Sequence, residues 1–189
     1  MKGDDEMFDK NLTFIGRHAD YLRKLCPSKL AGEQSMQRNT FFSSNLEAIP
    51  AAAIVGFLYG RLEPEDRSND SIPKNNIFLE QLNRKSEQLE LDYRIIMLLH
   101  DKENIPSEER INRAFRYDRD EGKRAVGDDI YFSYMRGGID VLYEKLYKGS
   151  TTTEEDINRL YDFMTEFKNL FCKKVSMDEI FNLCNEAAL

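Results

Sequence analysis

The chain has 189 residues, 41% hydrophobic and 32% charged, with twelve Phe and nine Tyr; this is the make-up of one globular domain with a real core, not of a disordered segment. Its net charge of −7 argues against nucleic-acid binding through the overall field, which rests on Lys and Arg. Cys26, Cys172 and Cys184 are an odd number without CxxC spacing, which argues against a disulfide framework or a structural zinc site.

The acidic start MKGDDEMFDKNL does not suit a secretory signal, and no apolar run reaches the roughly 20 residues that cross a bilayer. A cytoplasmic protein without a membrane span is the expectation. From Phe8 to Cys26 the apolar positions Phe8, Leu12, Ile15, Ala19, Leu22 and Cys26 alternate steps of four and three, which predicts a helix that Pro27 stops. Residues 28–45 are rich in Ser, Asn and Gln and are read as a mobile loop.

The run LEAIPAAAIVGFLYGRL, residues 46–62, carries no charged side chain between Ala51 and Gly60 and predicts a buried central helix over about 48–62, with Pro50 in its first turn. Ala48, Ala52, Gly56 and Gly60 recur every four residues and make a narrow stripe of small side chains that a second backbone can approach closely. Gly137 and Gly138, within a predicted helix from Asp128 to Lys148, are assigned to the partner side of that contact. Ala52, Gly56, Gly60, Gly137 and Gly138 are therefore the helix-packing candidates.

Residues 63–76, with two prolines and one large apolar side chain, read as a mobile loop, as does 118–127. One long helix is expected from Ile77 to His100, its second half buried nearly all round, and a short one from the Ser107 cap to about Tyr117. A helix starting at Thr153 carries the apolar face Ile157, Leu160, Tyr161, Met164, Phe167 and Phe171, and Ser176 with Glu179 forms a capping box for a last helix bearing Met177, Ile180, Phe181 and Cys184. No run alternates apolar and polar residues convincingly. The expectation is an all-α, single-domain, irregular bundle of about six to seven helices.

Two constellations carry candidate chemistry. The pair His100-Asp101 in LLHDKEN resembles the core of HD-type phosphohydrolases, helical metal enzymes in which an upstream His, an adjacent His-Asp pair and a later Asp hold divalent metals that activate water; His18 and Asp140 would complete the set. Lys102-Glu103-Asn104 departs from the residues that usually follow such a pair, and a core histidine at a helix end is the simpler reading. The second is Arg110, Arg113, Arg116, Arg119, Lys123 and Arg124, interleaved with Phe115 and Tyr117, which suits phosphate or nucleic-acid contact. Glu108, Glu109, Asp118, Asp120 and Glu121 lie among them, so self-pairing competes.

No P-loop, GxGxxG, HExxH, nucleophile elbow or di-iron Glu-x-x-His pair occurs. The leading expectation is a non-catalytic accessory subunit of a bacterial cytoplasmic assembly that docks a protein partner or a second copy, needs no cofactor or metal, and offers Tyr59, Tyr117, Tyr131 and Tyr147 as contacts. A nucleic-acid-associated factor and an HD-like hydrolase are the alternatives.

Overall fold

The computed structural model describes residues 10–27, 40–117 and 120–172. It is mostly helical with one small sheet, an all-α helical bundle. The first element is a strand, β1 (Leu12–Phe14), where the 3–4 spacing predicts helix; it pairs antiparallel with β2 (Asn75–Ile77), Leu12 opposite Ile77 and Phe14 opposite Asn75. Leu12 and Phe14 also satisfy a two-residue period, and Gly16 at φ +56° separates the strand from helix α1 (Gly16–Leu25), so the helical spacing runs across a break it cannot register.

Helix α2 (Asn45–Leu58) begins ahead of the expected 48–62 span and ends four residues earlier. Pro50 thus lies inside it rather than in its first turn, and the missing N–H removes a helical bond to Leu46. Ala48, Ile49, Ala52, Ala53, Val55 and Gly56 are buried, so α2 is covered nearly all round. Gly60 departs from the packing assignment: it lies beyond the helix at φ +63°, and nothing would approach a Cβ there within 4 Å. The Gly60 N–H bonds to the Phe57 carbonyl and the Arg61 N–H to the Gly56 carbonyl, the paired contacts by which a left-handed glycine closes a helix.

The expected single helix over 77–100 is broken into α3 (Leu79–Leu82), a tighter turn at Asn83–Lys85, and α4 (Ser86–Leu99). The Ser86 hydroxyl donates to the Asn83 carbonyl at the break, a side-chain bond that competes with the helical backbone. Leu91, Ile95 and Leu99 are exposed, so the second half of α4 is not enclosed. Helix α5 (Ser107–Phe115) packs against α4 and leaves Ile111 and Phe115 exposed.

Helix α6 (Glu121–Leu142) starts well before Asp128, inside the run read as loop. The Asp120 side chain caps it by accepting from the Lys123 N–H, and Gly127 fits against Tyr93, whose Oη lies 2.1 Å from where a Cβ would stand. After a wide turn at Tyr143–Tyr147, Thr152 and Glu155 form a reciprocal capping box for α7 (Thr153–Phe171). The capping box at Ser176, the last helix, Arg119 and Cys184 lie outside the described residues. Among the described residues no helix is long and apolar enough to cross a membrane.

The main contact is α2 against α6. A Cβ on Gly138 would sit 1.7 Å from the Ala52 carbonyl oxygen, one on Gly56 would sit 1.9 Å from that of Tyr134, and one on Gly137 would sit 1.9 Å from that of Arg61. Backbone meets backbone at all three positions, so glycine there is a packing requirement that outweighs its cost of about 1 kcal/mol in a helix interior.

Candidate functional site

Where α1, the end of α2 and α6 converge, the fold gathers a cluster of charges around one buried carboxylate. Asp140, on α6 and 2% exposed, accepts from Arg17 through Nη2 at 3.2 Å and Nε at 3.2 Å, and from Arg61 Nη2 at 3.3 Å. Arg17 also donates to Glu63 at 2.8 Å, and Arg61 to Glu63 at 3.1 Å and to Glu144 at 2.7 Å. Two guanidiniums are thereby shared among three carboxylates.

Local structure explains how each member arrives. Gly137 and Gly138 let α6 approach the α2 backbone, which brings Asp140 beside the turn that Gly60 closes and so beside Arg61. The chain after that turn is fastened along α6: the Glu63 N–H donates to the Ser133 carbonyl, and Arg136 donates to the Glu63 carbonyl at 2.8 Å. Asp66 then accepts from the Arg17 N–H at 2.8 Å and from Ser68, supplying the start of α1 with a cap that its own preceding residue, Ile15, lacks. The Ser68 hydroxyl and these N–H groups hold the Asp66 carboxyl well below the ordinary range. Residues 63–66, assigned by composition to a loop, thus tie α1 to α6.

His18 faces the same carboxylate, its Nε2 3.4 Å from Asp140 Oδ1, beyond good hydrogen-bond geometry. Burial, reinforced by the nearby Arg17 and Arg136, pushes the imidazole down to about 4, so it is neutral at pH 7. Burial pushes Asp140 up, against the opposing pull of Arg17 and Arg61. With His18 only 1% exposed and Arg17 and Arg61 paired within the cluster, the arrangement fastens three elements electrostatically and offers no open face to a substrate at the imidazole.

The four residues of the HD-type resemblance are not gathered into one site. His18 and Asp140 meet, but His100 pairs through Nδ1 with the Tyr134 hydroxyl at 3.0 Å, and Asp101 accepts from Asn104 at 2.6 Å. Among the described residues no group of three or more His, Cys, Asp or Glu could hold a metal ion. The basic patch is engaged with its own neighbours. Arg110 donates to the Ile105 and Leu98 carbonyls, Arg113 to Glu109 and Arg116 to Asn112, while Lys123 and Arg124 pair with Asp120 and Asp128.

Of the tyrosines expected at the surface, Tyr131 is fully buried between Tyr93 and Phe132, while Tyr59, Tyr117 and Tyr147 are half-buried. Tyr59 donates to Glu166 on α7 and is pushed up to about 12 by burial and that bond.

Among the described residues the most exposed apolar surface lies instead on α7. Ile157, Leu160, Tyr161 and Met164 follow steps of three and four and point to solvent, Ile157 at 59% and Tyr161 at 72%, while the buried side of the helix presents Asp156 and Phe163. The stripe was legible in the sequence as an apolar helix face.

Arg17, Arg61 and Glu144 escaped sequence reasoning. The available signal was weak: Arg17 directly beside a histidine in an apolar stripe, and Arg61 and Glu63 at the end of the most apolar helix. No protein-family model matches the chain, and no curated protein or solved structure matches it.

Proposed function

We propose that this chain is a non-catalytic interaction module that docks a protein partner or a second copy through the outer face of α7, in a cytoplasmic assembly. What supports the reading is the α7 stripe. Ile157, Leu160, Tyr161 and Met164 form one continuous apolar row on the solvent side of a well-capped helix, and contiguous apolar surface of this kind is characteristic of contact sites. Tyr161 supplies a large, stiff ring with a polar tip, the type of side chain that anchors interfaces.

Light scattering across a concentration series, with the partner added once it is identified, tests this on the wild type and on Leu160→Glu/Met164→Glu. Both side chains already face water, so the variant should unfold within about 0.5 kcal/mol of the wild type. The wild type is expected to associate and the variant to remain monomeric. Equal behaviour of the two proteins across that series and in partner capture would remove the proposal.

A further inference from the structure

Most charged side chains of α7 are bonded within the chain. Glu155 accepts from the Thr151 and Thr152 N–H groups, Asp156 from the Ser150 hydroxyl, and Glu166 from Tyr59 and Lys145, while Arg159 donates to the Lys145 carbonyl. Glu154, Asp162 and Lys168 have no ion-pair partner among the described residues. Glu154 and Lys168 are exposed and stand seven positions to either side of Tyr161, so the three share one face of the helix. Ile157 and Met164 flank the Leu160-Tyr161 pair in the same symmetric way.

Resting on the reading of α7 as a docking face, we propose that its occupant is a second copy of this chain, α7 against α7 and antiparallel, with Tyr161 at the two-fold axis. A two-fold contact requires a surface that matches itself on reversal, and this row does. Reversed about Tyr161, Ile157 comes beside Met164 of the second copy, Tyr161 meets Tyr161, and Glu154 meets Lys168 at both ends. A parallel pair would instead set Glu154 against Glu154 and Lys168 against Lys168, like charges at each end. Within one copy these two side chains are about 21 Å apart along the axis at 1.5 Å per residue, well beyond the screening length of physiological salt, so neither neutralises the other. One helix pair is at the small end of specific contacts, and micromolar association is expected.

Sedimentation equilibrium of the full chain, from micromolar to millimolar concentration, tests the pairing through a charge-reversal cycle. Glu154→Lys and Lys168→Glu each place like charges at both ends of the antiparallel pair; each is expected to weaken the dimer at least about tenfold at low salt, the loss shrinking as salt rises. Glu154→Lys/Lys168→Glu restores opposite charges at both ends and is expected to associate within about threefold of the wild type, whereas a parallel pair would stay mismatched. A nitroxide on the exposed Cys172, with Cys184 replaced by serine, reads the direction without altering either charge and carries the test if a reversal weakens the helix. An antiparallel pair holds the two labels about 33 Å apart along the axis and a parallel pair holds them side by side. A dimer that is lost in Leu160→Glu/Met164→Glu but ignores the single reversals, is not recovered by the double one, or brings the labels side by side would overturn the antiparallel pairing and leave α7 as the docking face. A wild type that stays monomeric at millimolar concentration would overturn the second copy as occupant, while partner capture by wild type against Leu160→Glu/Met164→Glu decides the docking face separately. Dimerisation unchanged in Leu160→Glu/Met164→Glu would remove both.

Discussion

Asp140 and Asp92 are buried to nearly the same degree, and their surroundings differ completely. Asp140 lies between two guanidiniums and a neutral imidazole, delivered by two separate parts of the chain, α1 and the turn after α2. Asp92 has one amide from its own helix and, on α6, the Tyr131 phenol whose ionisation its charge opposes. The first carboxylate is fully provided for by the fold and so serves architecture. The second retains acceptor capacity that the described residues leave unmet.

Four measurements break or sharpen that contrast. The largest effect is expected for Gly138→Ala, where the added methyl meets the Ala52 carbonyl and must drive α6 off α2, carrying Asp140 away from Arg61 while leaving α4 alone. Although Ala favours a helix over Gly by about 1 kcal/mol, a net loss of about 3 kcal/mol or more is expected in urea unfolding. A stabilised variant would show that the close approach is not real.

Asp140→Ala follows, with a loss of about 3 kcal/mol, the lower end of what removing one partner from a buried ion pair costs, because Arg17 and Arg61 can turn partly to water. A change below about 0.5 kcal/mol would reduce the cluster to surface pairing.

The third measurement is the pH dependence of stability. For Asp92 the folded value of about 6 exceeds the ordinary 3.8, so the folded state holds the extra proton between these values and stability falls as pH rises from 4 to 6. For His18 the folded value of about 4 is below the ordinary 6.5, so the unfolded state takes the proton first and stability is lost as pH falls from 6.5 to 4. The stability of Asp92→Asn relative to wild type should therefore improve with rising pH, and that of His18→Gln should decline, each by at most about 1.4 kcal/mol per pH unit. Difference curves of the same sign would contradict the assigned environments.

The smallest effect is expected for Asp92→Leu at pH 7: a gain of about 1 kcal/mol, since an incompletely satisfied buried acceptor is replaced by apolar volume and Gln88 is free to meet water. A loss as large as that of Asp140→Ala would mean that Asp92 is as well provided for as its counterpart.

Much of the bundle could be read from residue order because helical periodicity is a local property. His18, Ala19, Leu22 and Leu25 turn inward on α1, and Tyr131, Tyr134, Met135 and Leu142 on α6, as their spacing requires. The same rule located the apolar row on α7 from Ile157 to Met164, and the structure turns that row to solvent. Spacing says which side of a helix is apolar; it does not say whether a neighbour covers it.

The candidate sites were harder to read. His18 and Asp140 were singled out for metal chemistry and do come together, but the company that sets their chemistry is Arg17 and Arg61 rather than His100 and Asp101. Asp92 gave no signal at all, since one carboxylate inside a charged helix looks like any solvated residue until α2 and α7 close over it.

What the order of residues determined by itself is the all-α character, the start of α7 at Thr153 and the small-residue contact at Gly56 and Gly138, all consequences of backbone sterics and local periodicity. Tertiary structure alone decided the strand pair at Leu12–Phe14 and Asn75–Ile77, the break at Asn83 and the fate of each charge, because a strand needs a distant partner and a carboxylate takes its energy from whatever the rest of the chain places beside it.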